Sequence, residues 1–240
     1  MKSMMPGDFN VEMMPLSVRE IRMVVERILL SVRIPDGFVP AVRDCVLYSQ
    51  AMGLGGLAML KRDYDHLKNA KPASMRLISA ADCSGILDAA NQHAWIVAPS
   101  LIDLAIADAR LGGNGEARVR NVVEVAELAL LGGYAGRFGV RVDMTTRDKD
   151  ALLRVTADGL GGHDQVLQGA LANGMPVPKL LWEELYARSH DALTPDSIES
   201  RRHAGPVMVD AEGRVHGRDD DDTDFTLLGV NPASPARENT

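Results

Sequence analysis

Between Ser197 and His203 the chain brings two hydroxyls (Ser197, Ser200), two guanidinium groups (Arg201, Arg202) and an imidazole (His203) into seven residues of an expected loop. Guanidinium forks grip carboxylates and phosphates bidentately, and serine hydroxyls with loop amides add further donors. The pattern therefore reads as a pocket for an anion, with Ser197, Ser200, Arg201 and Arg202 as ligand-binding residues and His203 as an acid or base. The same arginines also suit a structural role, pinning the loop through Glu183, Glu184 or Glu199. A second imidazole, His163, follows the glycine-rich stretch Gly159 to Gly162 and precedes Asp164. A mobile loop there can present His163 as a general base whose tautomer Asp164 fixes. The competing reading makes Asp164 the N-cap of the next helix. His93 and His190 stand before a strand and at a helix end, where histidines serve structure.

Other suggestive segments lack the spacing that chemistry requires. Gly112-Gly113-Asn114-Gly115 and Gly53-Leu54-Gly55-Gly56 fit neither GxGxxG nor GxxxxGK[ST] between a strand and a helix, so both read as connectors. The run Asp219 to Asp224 has the carboxylates of a calcium loop, but Phe225 stands where the turn glycine belongs and Val230 where the bidentate Glu belongs. No Cys/His cluster supports zinc, and no metal is expected. Cys45 and Cys83, without a CxxC pair, read as buried thiols of a reducing compartment.

Composition narrows the classes. The chain has 240 residues with 33 acidic and 26 basic side chains; residues 210–240 hold eight acidic and three basic groups, so the tail carries most of the net charge of -7. No basic stripe interleaved with aromatics supports nucleic-acid binding. The absence of about 18 consecutive apolar residues speaks against a membrane span. The first residues lack the apolar core of a signal peptide, which leaves a cytoplasmic location as the expectation.

These residues must be positioned by helices first and a sheet later. Ser17-Val18-Arg19-Glu20 is a capping box, followed by Ile21, Val24, Val25, Ile28 and Leu29 at helical spacing. A second helix starts near Pro40 and ends near Gly53; Leu57, Leu60, Tyr64 and Leu67 suggest a third. Beyond Pro72, β-like runs at Met75 to Ser79, Ala94 to Ala98 and Ala117 to Val122 alternate with helices at Leu101 to Ala109 and Val123 to Phe138, the latter stopped by Gly139. Val140 to Met144 and Leu153 to Ala157 alternate apolar with polar and form a hairpin, with Val140, Val142 and Met144 on the core face opposite Leu153, Val155 and Ala157. Helices follow at Asp164 to Ala172 and Lys179 to His190, separated by a turn at Gly174 to Pro178. The expected fold is α/β or α+β: an N-terminal helical segment, then a mixed sheet with packed helices and a β-hairpin. The expected organisation is a flexible N-terminus (1–14), a helical segment (15–70) forming one domain with an α/β body (71–209), and an acidic, largely disordered tail (210–240), without internal repeats.

Two resemblances bear on function. Ala51-Met52-Gly53-Leu54-Gly55-Gly56-Leu57-Ala58, Val97-Ala98-Pro99-Ser100-Leu101-Ile102-Asp103-Leu104-Ala105 and Pro195-x-Ser197-x-x-Ser200-Arg201-x-x-Ala204-Gly205 together resemble a bacterial family known only as a domain of unknown function. That resemblance implies no activity. Leu104-Ala105-Ile106, Ala109-Arg110, Gly113, Gly115 and Val119-Arg120-Asn121 resemble the malate/L-lactate dehydrogenases that do not use a Rossmann fold. The family's Ser-His-Gly motif is replaced around Gly55-Gly56-Leu57, and no histidine follows Asn121 where the family has one, so the proton donor of 2-oxo acid reduction is missing.

Three functional readings follow from the sequence. The first is a small-molecule metabolism protein binding a carboxylate or phosphate metabolite. The second is a non-catalytic accessory subunit of a metabolic enzyme. The third is a diverged relative of the NAD(P)-dependent malate/L-lactate dehydrogenases without the catalytic histidine. A homo-oligomer or a partner protein is expected, with apolar helices around Val123 to Leu131 as contact surface. The residues by themselves name no cofactor.

Overall fold

Ser17 begins the first helix as its sequence requires. Its hydroxyl accepts from the Glu20 amide (3.2 Å) and the Glu20 carboxylate accepts from the Ser17 amide (2.8 Å), closing the capping box at the start of α1 (Val18–Ser31). In the computed structural model, residues 11–79, 85–157 and 164–193 are described, together with 207–209, 211–212 and 215–217. The chain divides into two compact units, residues 1–192 and 193–240.

In the first unit, α1 buries Ile21, Val24, Val25 and Ile28 against α2 (Val39–Ala51), whose N-terminal turn holds Pro40. The expected third helix is two: α3 (Gly56–Arg62) and α4 (Tyr64–Lys68) meet at Asp63. Strand β1 (Met13–Leu16) pairs antiparallel with β7 (Met175–Pro178), so the segment read as a turn is a strand with two edge prolines. The helix α7 (Gln165–Asn173) starts at Asp164, whose carboxylate accepts from the Leu167 amide (2.9 Å) and from the Tyr48 hydroxyl of α2. After β7 the chain runs into α8 (Lys179–Ser189).

The second layer is a five-stranded mixed sheet in the order β2 (Arg76–Ser79), β3 (Gly85–Asp88), β4 (Asn114–Arg120), β6 (Asp150–Ala157), β5 (Val140–Arg147). Only β3 and β4 run parallel, and α5 (Ala94–Gly112) connects them. The β5–β6 hairpin has the expected register, with Val140 opposite Ala157, Val142 opposite Val155 and Met144 opposite Leu153. Strand β3 was not legible in the sequence. Val125 to Phe138 is a chain of 3-10 turns around a single helical turn, α6 (Leu131–Tyr134), and Gly139 ends it at φ +66°.

Ala94 to Ala98, expected as a strand, is the first turn and a half of α5. Trp95, Ile96, Val97, Ala98, Leu101, Ile102 and Ala105 are all fully buried because the helix lies between β4 and β6 on one side and α2 on the other. The first turns are covered on every side and show no amphipathic period, and a short apolar run of this kind is indistinguishable from a buried strand. Pro99 sits inside the helix.

Glycine at 115 sets how closely α5 approaches the sheet. A Cβ there would come within 1.9 Å of the Ala105 carbonyl oxygen, so only glycine lets β4 lie directly on the helix. The opposite face of the sheet carries Arg118, Arg120, Leu152 and Arg154, all exposed or half-buried. In the second unit, β8 (Val207–Val209) and β9 (Val215–Gly217) form an antiparallel hairpin. Among the described residues, no helix is long and apolar enough to cross a membrane.

Candidate functional site

The site is assembled by strand register. Along one rung of the outward sheet face lie Ile78, Ile86, Arg118, Leu152 and Thr145, each the cross-strand partner of the next. Two residues further on, Arg76 pairs with Asp88, Asp88 with Arg120, and Arg147 with Asp150. Continuing the β4–β6 register by two residues past Arg118 and Leu152 places Asp150 beside Arg120. This rung alternates in charge from edge to edge: Arg76, Asp88, Arg120, Asp150, Arg147.

Between the two rungs opens a groove of about 480 Å³ lined by Ile86, Arg118, Arg120, Thr145, Arg147, Asp150 and Leu152, over the backbone of Val119 and Ala151. Arg118 and Arg120 stand about 7 Å apart along β4, and Arg147 is two strand spacings away, about 10 Å across the sheet. Arg118 is held by Glu116 (3.0 Å) and Arg120 by Asp88 (2.9 Å), whereas Arg147 makes no hydrogen bond or ion pair among the described residues. Arg147, beside Asp150 and the ion-paired Arg118 and Arg120, thus brings a further cation to a groove with Ile86 and Leu152 among its lining.

One end of the groove joins a strained edge of the sheet. Past the carboxyl ends of the parallel strands β3 and β4, Ala90 (φ 49°), Asn91 (58°), Asn121 (60°) and Glu124 (55°) all adopt left-handed backbone. Asparagine tolerates that region, but for alanine and glutamate it costs about 1–2 kcal/mol each. Asp88 holds the two loops in place. Its Oδ1 accepts from the Ala90 amide and the Asn121 side-chain amide (both 3.0 Å), and its Oδ2 accepts from Arg120. The Asn121 amide, the Ala90 backbone and Arg120 together bring the Asp88 carboxyl down to about 2. Crevices at the carboxyl ends of sheet strands are where open α/β sheets bind ligands.

Behind this edge runs a polar chain whose inner members, Asp63, His93, Ser49 and Glu127, are buried. His93, the N-cap of α5, accepts the Trp95 amide on Nδ1 (3.1 Å), which leaves the proton on Nε2 to be donated to Asp63 (3.2 Å). Arg62 clasps Asp63 with Nε and Nη2 (both 2.8 Å) and reaches Glu124 (2.8 Å). Trp95 Nε1 (3.1 Å) and the Ser49 hydroxyl (2.8 Å) both donate to Glu127 Oε2. Burial holds the His93 imidazole below its ordinary pKa despite Asp63, and burial pushes Glu127 up despite its two donors. Burial also raises Asp63, but the Arg62 and His93 hydrogen bonds outweigh it and keep the carboxyl below its usual range. With both ring nitrogens engaged and the ring buried, His93 is a strut under the edge and not a proton donor to ligands.

The residues expected from sequence are distributed differently. Ser197, Ser200, Arg201, Arg202, His203 and His163 lie outside the described residues, as do Cys83 and the acidic run Asp219 to Asp224. Asp164 is the helix cap described above. His190 ends α8 with its ring against Tyr186 (4.9 Å), and Glu184 pairs with Lys61 (2.6 Å). Cys45 is buried, and burial raises its thiol pKa. Among the described residues no group of three metal-ligating side chains occurs. Neither glycine-rich segment is a phosphate cradle. The Cβ that Gly56 lacks would meet the Val46 carbonyl at 2.3 Å, and Gly115 is likewise consumed by the contact of strand with helix. Arg118, Arg120 and Arg147 were missed because they meet only through register; the one sequence signal was their alternation with apolar residues on strands.

A dehydrogenase from Sinorhizobium meliloti shares the fold, at 11% identity over 74% of this chain and 100% of that one, with a TM-score of 0.53. Malate dehydrogenase from Entamoeba histolytica (17% identity, 55% of this chain and 38% of that one, TM-score 0.43) and sulfolactate dehydrogenase from Methanocaldococcus jannaschii (15%, 55% and 39%, 0.43) are also similar. The chain thus spans well under half the length of those last two. No protein-family model matches the sequence, so the resemblance to an uncharacterised bacterial family finds no support there, and no curated protein matches it. What the chain shares with the Sinorhizobium meliloti protein is its α/β fold.

Proposed function

We propose that this protein binds a small anionic metabolite in the sheet-face groove, with Arg147, Arg120 and Arg118 gripping the anion and Thr145 adding a hydroxyl. The observation that carries the reading is Arg147, a cation that lines a groove with two further arginines and has no hydrogen-bond or ion-pair partner among the described residues. An unpaired guanidinium beside an apolar floor is the arrangement that recognises a carboxylate or phosphate on a small organic body. Ser197, Ser200, Arg201 and Arg202, which lie outside the described residues, are proposed separately as anion ligands in their own right.

The test is a thermal-shift screen of carboxylates and phosphorylated metabolites on the wild type and on Arg147→Ala. A ligand at 100 times its Kd adds about 2.7 kcal/mol, or about 5–10 °C for a chain of this size. A shift that Arg147→Ala abolishes is expected; a shift that the variant keeps moves the site away from the groove.

The shared fold motivates a second reading, that of a diverged malate/L-lactate-type dehydrogenase, although fold alone does not fix chemistry. Val122, Val123 and Glu124 follow Asn121 where a proton-donating histidine would stand, Glu124 is bound to Arg62, and His93 has no free nitrogen. Nicotinamide oxidation with a panel of 2-oxo acids is expected to show no turnover, and measurable turnover would favour this reading over simple binding.

A further inference from the structure

We infer that the groove is a zwitterion site whose ligand class is the α-amino acid with an apolar side chain. The inference rests on the anion reading above and narrows it. Arg147 and Asp150 are direct cross-strand partners at the end of the β5–β6 hairpin, both line the groove, and yet they form no ion pair with each other. Opposite charges in that relation sit with Cβ atoms about 5 Å apart and ordinarily attract. Here both line the groove without pairing with each other. Among the described residues Asp150 accepts only the Asn121 backbone amide, on Oδ1 (3.3 Å), which leaves its second oxygen without a partner there.

A ligand carrying a carboxylate and an ammonium on one carbon satisfies both groups together. Its carboxylate meets Arg147 and Arg120, and its ammonium meets Asp150, which lies between those two arginines along the rung. Ligands with one charge bind less tightly: a simple carboxylate meets Arg147 but also faces Asp150, and a simple amine meets Asp150 but also faces Arg147. Discrimination by such repulsion needs no additional contact. The neighbouring rung then receives the side chain on Ile86 and Leu152, with Ile78 beyond, which selects apolar side chains over charged ones.

The experiment is calorimetric titration of the full chain with L-leucine, L-isoleucine, L-valine and L-methionine. Each is paired with the acid lacking the amino group (4-methylpentanoate for leucine) and the amine lacking the carboxylate (3-methylbutylamine for leucine). At least one amino acid is expected to bind about tenfold or more tightly than both of its analogues, the equivalent of about 1.4 kcal/mol. Asp150→Asn, which keeps the acceptor for the Asn121 amide, is expected to weaken the amino acid about tenfold while leaving the acid equal or tighter. Acids that bind the wild type as well as the amino acids do, with Asp150→Asn changing neither, would overturn the zwitterion inference and leave the anion site standing. Failure of every amino acid and every anion to bind overturns both.

Discussion

Replacing Gly115 with alanine tests whether the sheet is fixed on α5 by one backbone contact. The new Cβ would lie 1.9 Å from the Ala105 carbonyl oxygen, 2.6 Å from the Ala109 amide nitrogen and 2.9 Å from the Ala109 Cβ. Ordinary contact begins near 3.4 Å, so strand and helix must part by about 1.5 Å. Overpacking costs about 1–3 kcal/mol where side chains can move aside. Here the obstacles are mainly helix backbone atoms, which cannot swing aside as a side chain can, and this places the cost at about 3 kcal/mol or more, or a fall in Tm of about 6–12 °C. Gly113 supplies the control. Its φ is +84° with open space around it, so Gly113→Ala costs only left-handed strain, about 1 kcal/mol and about 2–4 °C. Melting followed by circular dichroism, with urea midpoints beside it, reads both. A Gly115→Ala protein melting within about 2 °C of the wild type, or one more stable than Gly113→Ala, refutes the close-approach argument. Because β4 also carries Arg118 and Arg120, ligand binding in the groove should weaken in the same variant.

Three further outcomes are expected. Burial raises the Glu127 pKa in the fold, so the stability of its protonated form is complete below the unfolded value and lost as pH rises through the folded one; Glu127→Gln should therefore gain on the wild type at pH 7 relative to pH 4, and an equal difference at both would refute it. His93 has the opposite sign: its lowered pKa makes stability complete above about 6.5 and lost as pH falls below that, so His93→Asn should flatten the decline between pH 7 and 5 in urea titrations. Asp88→Ala should lower amide-exchange protection in residues 89–92 and 120–124, since its carboxylate holds both left-handed loops; unchanged protection would show that the loops hold themselves.

Local chemistry made part of this fold legible. The capping box at Ser17 and the alternation of the hairpin each specify a structure within a few residues, and register follows because a one-residue slip would turn Val142 and Val155 out of the core. α5 was misread because its start is capped by an imidazole and its first turns are buried on every side, leaving neither a common capping residue nor a period to read. The groove was illegible for a different reason. Arg118 and Arg147 are 29 positions apart in the chain and become neighbours only once β6 lies between their strands, a pairing that neither segment encodes alone. A sequence favours clusters such as Ser197 to His203 because they are contiguous, whereas a sheet gathers its side chains across the chain.

The alternating rung ends in an arginine at each border of the sheet, Arg76 on β2 and Arg147 on β5. Open borders are templates on which strands from other molecules can grow, and β2 in particular exposes Leu77 and Ile78. A fixed positive charge at both margins makes identical sheets repel when they approach edge to edge. The charges that shape a pocket in the middle of the face thereby also guard the protein's solubility at its rim, so neutralising Arg76 and Arg147 together would show first as light scattering at high protein concentration.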